Sequence, residues 1–235
     1  MTLPCQPPPH SAPQGRNALA DSSGRAADRE CVALVHGFLA HSMMLAVLGH
    51  RLRRHGYRTD LWGYRNMCCS ILVHAERFAD NLRRLDKDPT VDRIHLVTHS
   101  MGCIIARAAL TRYRPLKLGR FVMLAPPNRG SFVAQATIGT LGRFFKPVEE
   151  LSTAEDSLVN SLPTPQDVDI GVIAAGRDAL VSSASTRPEA PHDHVTIPCL
   201  HSSLLFRRDA AEMVVAFLRD GRFPESTPHR RGSES

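Results

Sequence analysis

His95-Leu-Val-Thr-His-Ser-Met-Gly102 decides how the chain reads. An apolar run leads into a serine, and from Met101 the apolar residues switch to a helix-like period that lasts to about Tyr113. A serine on a tight strand-to-helix turn is pushed clear of the sheet, and small residues two positions either side let the two arms approach. Gly102 meets that need on the helix side, whereas Thr98 stands where a glycine is usual on the strand side. The turn also sets Ser100 at a helix N-terminus, where partial positive charge and amides favour a developing oxyanion.

Working outward, short apolar runs alternate with helix-period stretches. Strands are expected over 31–35, 57–62, 93–97, 120–124, 170–175 and 195–199, most of them near-continuously apolar, as in strands covered on both faces. Helices are expected over about 41–55, 72–85, 101–113 and 203–218, with a fourth in chain order beginning after Ser131 as N-cap. The second carries Leu72, Ala75, Phe78, Ala79, Leu82 and Leu85 on one stripe. Such alternation implies an α/β fold, a mainly parallel six-stranded sheet with helices on both faces.

Parallel open sheets place their ligands beyond the carboxyl ends of the strands. His36-Gly37-Phe38 follows the first strand, Ser100 the third, Gly176-Arg177-Asp178 the fifth and Leu200-His201 the sixth. A backbone-amide turn, a serine, a carboxylate and an imidazole are the inventory for acyl transfer by a serine nucleophile. Among twelve histidines, His99 is expected to point away from Ser100, and His192 and His194 precede the last strand, at the wrong edge of the sheet. His201 follows that strand and is the expected base, with His194 its main rival. Asp178 follows a strand, whereas Asp92, Asp167 and Asp169 precede one. The expected oxyanion donors are the amides of Met101 and Phe38. Asn128-Arg129-Gly130 lies beside the site by topology, with turn and helix-cap duty at least as good a reading as substrate contact. Cys103 reads as core, and Phe144 and Phe145 read as helix packing ahead of an acyl pocket.

The chain has 235 residues, 43% of them apolar and 22% charged, enough for one compact domain. No purely apolar run is longer than that from Met43 to Leu48, far short of the ~20 residues that span a bilayer, so no transmembrane segment is expected. Six cysteines without a C-x-x-C pair read as reduced thiols rather than a disulfide framework or a metal site. The proline-rich residues 1–29 and the segment 222–235 are expected to be disordered tails around a domain at 30–221. The N-terminus lacks the pattern of a secretion signal, so a cytoplasmic address is expected. Of 29 basic residues only Lys87, Lys117 and Lys146 are lysine, giving a net charge of +6. Arginine favours bidentate contact with phosphate or carboxylate, and Arg51-Leu-Arg-Arg54 lies at helical spacing. No nucleic-acid motif is present, and no nucleic-acid partner is expected.

Five motifs in order carry a family resemblance: Val32-Ala-Leu-Val-His-Gly-Phe38, His95 to Gly102, Leu124-Ala-Pro-Pro-Asn-Arg-Gly-Ser131, Ala175-Gly-Arg-Asp-Ala-Leu-Val181 and His201-Ser-Ser-Leu-Leu205. The sequence resembles the α/β-hydrolase superfamily, within it small bacterial lipase- and esterase-like members and the GPI inositol-deacylase-like group. The resemblance implies a reduced α/β-hydrolase fold, since nothing before residue 30 can make the extra N-terminal strands of larger relatives. It implies hydrolysis of a small-molecule or lipid carboxylic ester without metal or cofactor, through Ser100, Asp178 and His201. Little beyond 131–163 is left for a lid. The same residues would serve an acyltransferase or a thioesterase, and a non-catalytic hydrolase-fold binder or an anion-binding role for the arginines are the readings from other classes. Acyl and alcohol specificity and oligomeric state are not encoded in any motif.

Overall fold

All six expected strands form, in one sheet. The computed structural model describes residues 29–38, 42–64, 69–131, 150–151 and 157–225. Its strands are β1 (Glu30–Val35), β2 (Arg58–Trp62), β3 (Arg93–His99), β4 (Leu118–Leu124), β5 (Ile170–Ala175) and β6 (Asp193–Ile197). They are ordered β2-β1-β3-β4-β5-β6, and every pair is parallel. Between them run α1 (Ala46–Arg54), α2 (Ile71–Lys87), α3 (Met101–Leu110) and the short α4 (Leu158–Ser161), and α5 (Arg208–Asp220) closes the chain.

Strand alternation divides the core into two layers. Cys31, Ala33 and Val35 pack with Phe78 and Leu82 of α2 and Ile104 and Ala108 of α3. Val32 and Leu34 join Leu48 and Leu52 of α1 and Val214 and Phe217 of α5 on the opposite face. The stripe on α2 is buried as its period implies, beginning at Ile71, and Ser70 caps it by accepting the Leu72 amide at 3.0 Å. After β1 the chain turns back to place β2 on one side, and all later strands add on the other. Neighbouring β1 and β3 therefore flank a topological switch point, where open parallel sheets open a crevice at their carboxyl ends.

Several boundaries differ from the sequence expectation. β6 lies two residues earlier than 195–199, which puts His194 inside the strand. β3 runs on to His99, directly against Ser100. The expected first helix divides into a 3-10 turn, Ser42–Leu45, and α1. The last divides likewise into a 3-10 turn, His201–Leu205, and α5, because Arg207 is extended (ψ 141°). The expected tail from 222 begins as packed chain: Phe223 is buried, its ring centroid 4.9 Å from that of Phe217, and its amide donates to Asp193 at 2.6 Å. The helix expected after Ser131, the pair Phe144 and Phe145, most of 131–163, and residues 1–28 and 226–235 lie outside the described residues. No helix among the described residues is long and apolar enough to cross a membrane.

Candidate active site

Ser100 occupies a backbone conformation that L-residues rarely adopt, φ 52° and ψ −125°. Such strain costs on the order of 1–3 kcal/mol and persists only where the surroundings hold it. Here the Ser100 amide donates to Leu124 O at 2.9 Å, tying the turn to β4, and the Ser100 carbonyl accepts from Cys103 N at 2.9 Å. Although Ser100 is the N-cap residue of α3, its hydroxyl caps no helix amide. Met101 follows as the first residue of the helix, where an amide has no intrahelical acceptor.

Gly102 and Thr98 differ in what surrounds them. A Cβ on Gly102 would lie 2.6 Å from His36 O and 2.7 Å from Val35 O, both immovable backbone atoms at the end of β1. Thr98 instead faces α3 in a fully buried position, and its hydroxyl donates to Cys103 Sγ at 3.1 Å. The tight approach in this elbow is thus between α3 and β1, and the strand side has room for a threonine. Burial pushes the Cys103 thiol up to about 12, leaving it an un-ionised core group. Cys31 and Cys199 are likewise buried free thiols.

The turn after β1 meets Ser100 through Gly37, where a Cβ would lie 2.8 Å from Ser100 Cβ and 3.1 Å from His99 Nδ1. The Gly37 carbonyl is held by His36 Nδ1 at 2.9 Å. A carbonyl only accepts, so Nδ1 carries the proton, consistent with Nε2 accepting the Tyr64 amide at 3.4 Å. The ring stacks on Tyr64 at 4.2 Å, and the Tyr64 hydroxyl donates to His36 O at 2.8 Å. The peptide is planar and trans, so fixing the Gly37 carbonyl toward His36 aims the Phe38 N–H the opposite way.

At the ends of β5 and β6, His201 Nδ1 donates to Asp178 Oδ2 at 2.6 Å. The second carboxylate oxygen accepts the amides of Leu180 at 2.8 Å and Val181 at 3.0 Å. Only 2% of the Asp178 side chain and 10% of the His201 side chain are exposed. Burial pushes the Asp178 carboxyl up, but its bond to His201, the charge there and the two amides outweigh this and hold it below the usual carboxylate range. The Leu180 carbonyl in turn accepts the Ser131 hydroxyl at 2.8 Å, which braces the acid's loop.

His99, expected to point away from Ser100, packs beside His201. Its buried ring lies against His201, centroids 4.8 Å apart, and its Nε2 donates to the His201 carbonyl at 3.3 Å. Burial foremost, then the neighbouring His201, lowers its pKa to about 3, so the ring stays neutral. The rival His194 sits on β6 with Nε2 bonded to Thr186 Oγ1 at 3.0 Å. Asn128 is structural, its amide donating to Thr186 O at 2.8 Å and its oxygen accepting from buried Arg107 at 3.2 Å. Ser100, Gly37, His99, His201 and Asp178 thus form one run of contacts at the carboxyl end of the sheet. The part of it that sequence reasoning missed is His99, together with the Leu180 and Val181 amides. The one available signal was that a strand reaching Ser100 alternates Thr98 and His99 between its two faces. Among the described residues, no group of three or more His, Cys, Asp or Glu side chains could hold a metal ion.

Comparison with curated protein sequences finds no match. Among solved structures, the mature lipase BlEst2 of Bacillus licheniformis superposes with a TM-score of 0.63 at 15% identity, covering 82% of this chain and 91% of that one. Lipase B of Aspergillus fumigatus gives 0.67 at 14% identity, over 87% of this chain and 59% of that one. Phospholipase PlaB of Legionella pneumophila gives 0.55 at 21% identity, over 67% and 45%. At these identities the likeness is one of fold. A family model described as the alpha/beta hydrolase family matches residues 32–228, most of the sequence, and the chain belongs to that family.

Proposed function

We propose that the protein hydrolyses carboxylic esters through an acyl-enzyme on Ser100. The observation that carries this reading is the 2.6 Å bond from His201 Nδ1 to the buried carboxylate of Asp178. It fixes the ring proton on Nδ1, so Nε2 has a lone pair with which to take the Ser100 proton during attack on the ester carbonyl. Asp178 then stabilises the imidazolium that forms, and its depressed pKa keeps it ionised to do so. The Met101 and Phe38 amides are the oxyanion donors of this scheme, each worth ~3–4 kcal/mol in the transition state. His201 returns the proton to the leaving alcohol, and water repeats the sequence on the acyl-enzyme. The strained Ser100 backbone and its uncapped hydroxyl support the nucleophile's role. The lipases among the structural neighbours make a lipid ester one candidate substrate and a small ester the other.

The test is turnover of p-nitrophenyl esters from acetate to palmitate, with fluorophosphonate labelling, in wild type and Ser100→Ala. Turnover and labelling that both vanish in the variant support the reading, and the best chain length separates small esters from lipids. Equal rates in the two proteins overturn it for this substrate class. Labelling without hydrolysis keeps Ser100 as a reactive nucleophile and favours an acceptor other than water for its acyl group.

A further inference from the structure

The arginine run at 51–54 is not absorbed by the ester chemistry. It lies at the end of α1, opposite the start of α5, and the two helices enclose a cleft of about 500 Å³. The lining is Arg51, Arg54, His55, Arg208, Ala211 and Glu212. Three guanidinium groups therefore face one carboxylate in a single concavity.

The three differ in how they are held. Arg51 Nη1 donates to the carbonyls of Phe206 at 2.8 Å and Arg207 at 2.7 Å, the two residues left outside a helix where the final helix breaks. Its planar fork is therefore pre-oriented, which lowers the entropy lost on binding. Arg208 pairs with Glu212 at 3.0 Å, but both side chains are well exposed, 86% and 59%. An exposed pair of this spacing holds weakly, so an incoming anion with more charge displaces the carboxylate readily. The Arg54 side chain has no hydrogen bond or ion pair with any described residue, its backbone being part of α1. Two exposed apolar side chains lie outside this lining but next to Arg51, one along α1 and one on a residue whose carbonyl it holds. Val47, one turn before Arg51 on the same face of α1, is 38% exposed, and Phe206 is 46% exposed.

From this we infer that the α1–α5 cleft binds a phosphate group carried on an apolar body. A phosphate offers three terminal oxygens and up to two charges to several forks at once, where a carboxylate satisfies one fork. The cleft is larger than a bare phosphate, and Val47 and Phe206 meet the apolar portion. A lipid headgroup at a membrane surface and a free phosphate ester share this chemistry. The site stands on the opposite face of the sheet from α2 and α3 and does not depend on the ester reaction.

The full chain is tested against phenyl phosphate by calorimetric titration, and against vesicles of phosphatidylcholine with and without phosphatidic acid by flotation, all at physiological salt. The variants are Arg54→Gln with Arg208→Gln, and a control of equal charge on α2, Arg77→Gln with Lys87→Gln. Arg51 is kept because its carbonyl bonds hold the helix junction. Thermal melts of each variant confirm folding. Binding weakened about fivefold for each cleft arginine removed, with the control unchanged, is the expected result. Capture only by phosphatidic-acid vesicles identifies a headgroup site, and binding of phenyl phosphate alone identifies a soluble ester. No binding of either probe, or an equal loss in the control, overturns the inference.

Discussion

Replacing Asp178 by asparagine changes one atom, yet the site constrains what that atom does. Asp178 Oδ1 accepts two backbone amides, from Leu180 and Val181, at 2.8 and 3.0 Å. In the variant the amide oxygen must stay there, because an NH2 group would confront two N–H donors. Turning it round would leave two donors unpaired at about 1–3 kcal/mol each. The NH2 group is thereby directed at His201 Nδ1, 2.6 Å from the other carboxylate oxygen in the native protein. Nδ1 must now accept, so the ring proton moves to Nε2, the nitrogen that should take the Ser100 proton. The ring is held in the wrong tautomer, and the countercharge for the imidazolium is gone as well. A loss of ~10⁴ in kcat follows, equivalent to about 5.5 kcal/mol, with KM little changed. The swap is isosteric, so Tm should fall by only a few degrees. Initial rates on p-nitrophenyl butyrate and a thermal melt measure both. A variant that keeps kcat within about tenfold of wild type would falsify the proposed role of Asp178.

Three further outcomes follow from the same geometry. Gly102→Ala drives a Cβ to 2.6 Å from His36 O and 2.7 Å from Val35 O, so stability should fall by about 1–3 kcal/mol or more in urea unfolding, whereas Thr98→Gly, which restores the usual glycine, should also destabilise by roughly 1–3 kcal/mol. An unchanged midpoint for either contradicts the packing described. His99→Ala releases the His201 carbonyl and should lower kcat by about ten- to a hundredfold, with His99→Gln, which returns an N–H donor, recovering part of it. If the two variants have equal kcat, the hydrogen bond does not position His201. His99 is also held neutral in the folded state, its pKa lowered to about 3, so the unfolded chain binds the extra proton as pH falls from about 6.5 toward 3. Wild type should therefore lose stability across that window more steeply than His99→Gln, and parallel Tm–pH curves would refute it.

Much of the candidate site was legible because its residues sit at local landmarks. Burial on both faces makes a strand near-continuously apolar, as in β3 and β5, so the candidate residues Ser100 and Asp178 could be placed at strand ends from periodicity, whereas the partly buried edge strand β6 gives a weaker signal for His201. Periodicity was less informative at element ends. The carbonyls of Phe206 and Arg207, held by Arg51 across the α1–α5 junction, accompany a helix break that the continuous apolar stripe from 203 to 218 concealed. Phe223 reads as tail because the residues that follow it show no apolar periodicity, yet it packs on Phe217 just after α5 ends.

The sequence by itself determined the strand–helix alternation, the serine turn, and the order in which serine, acid and histidine follow their strands. It did so because each depends on neighbours along the chain. Only the tertiary structure decided that β1 lies beside β3, and with it why Gly102 is required while Thr98 is tolerated. The same holds for His99 beneath His201 and for the cleft that gathers Arg51, Arg54 and Arg208. These contacts join segments remote in sequence. Hydrophobic pattern specifies that a face is buried, and strand order specifies what it is buried against.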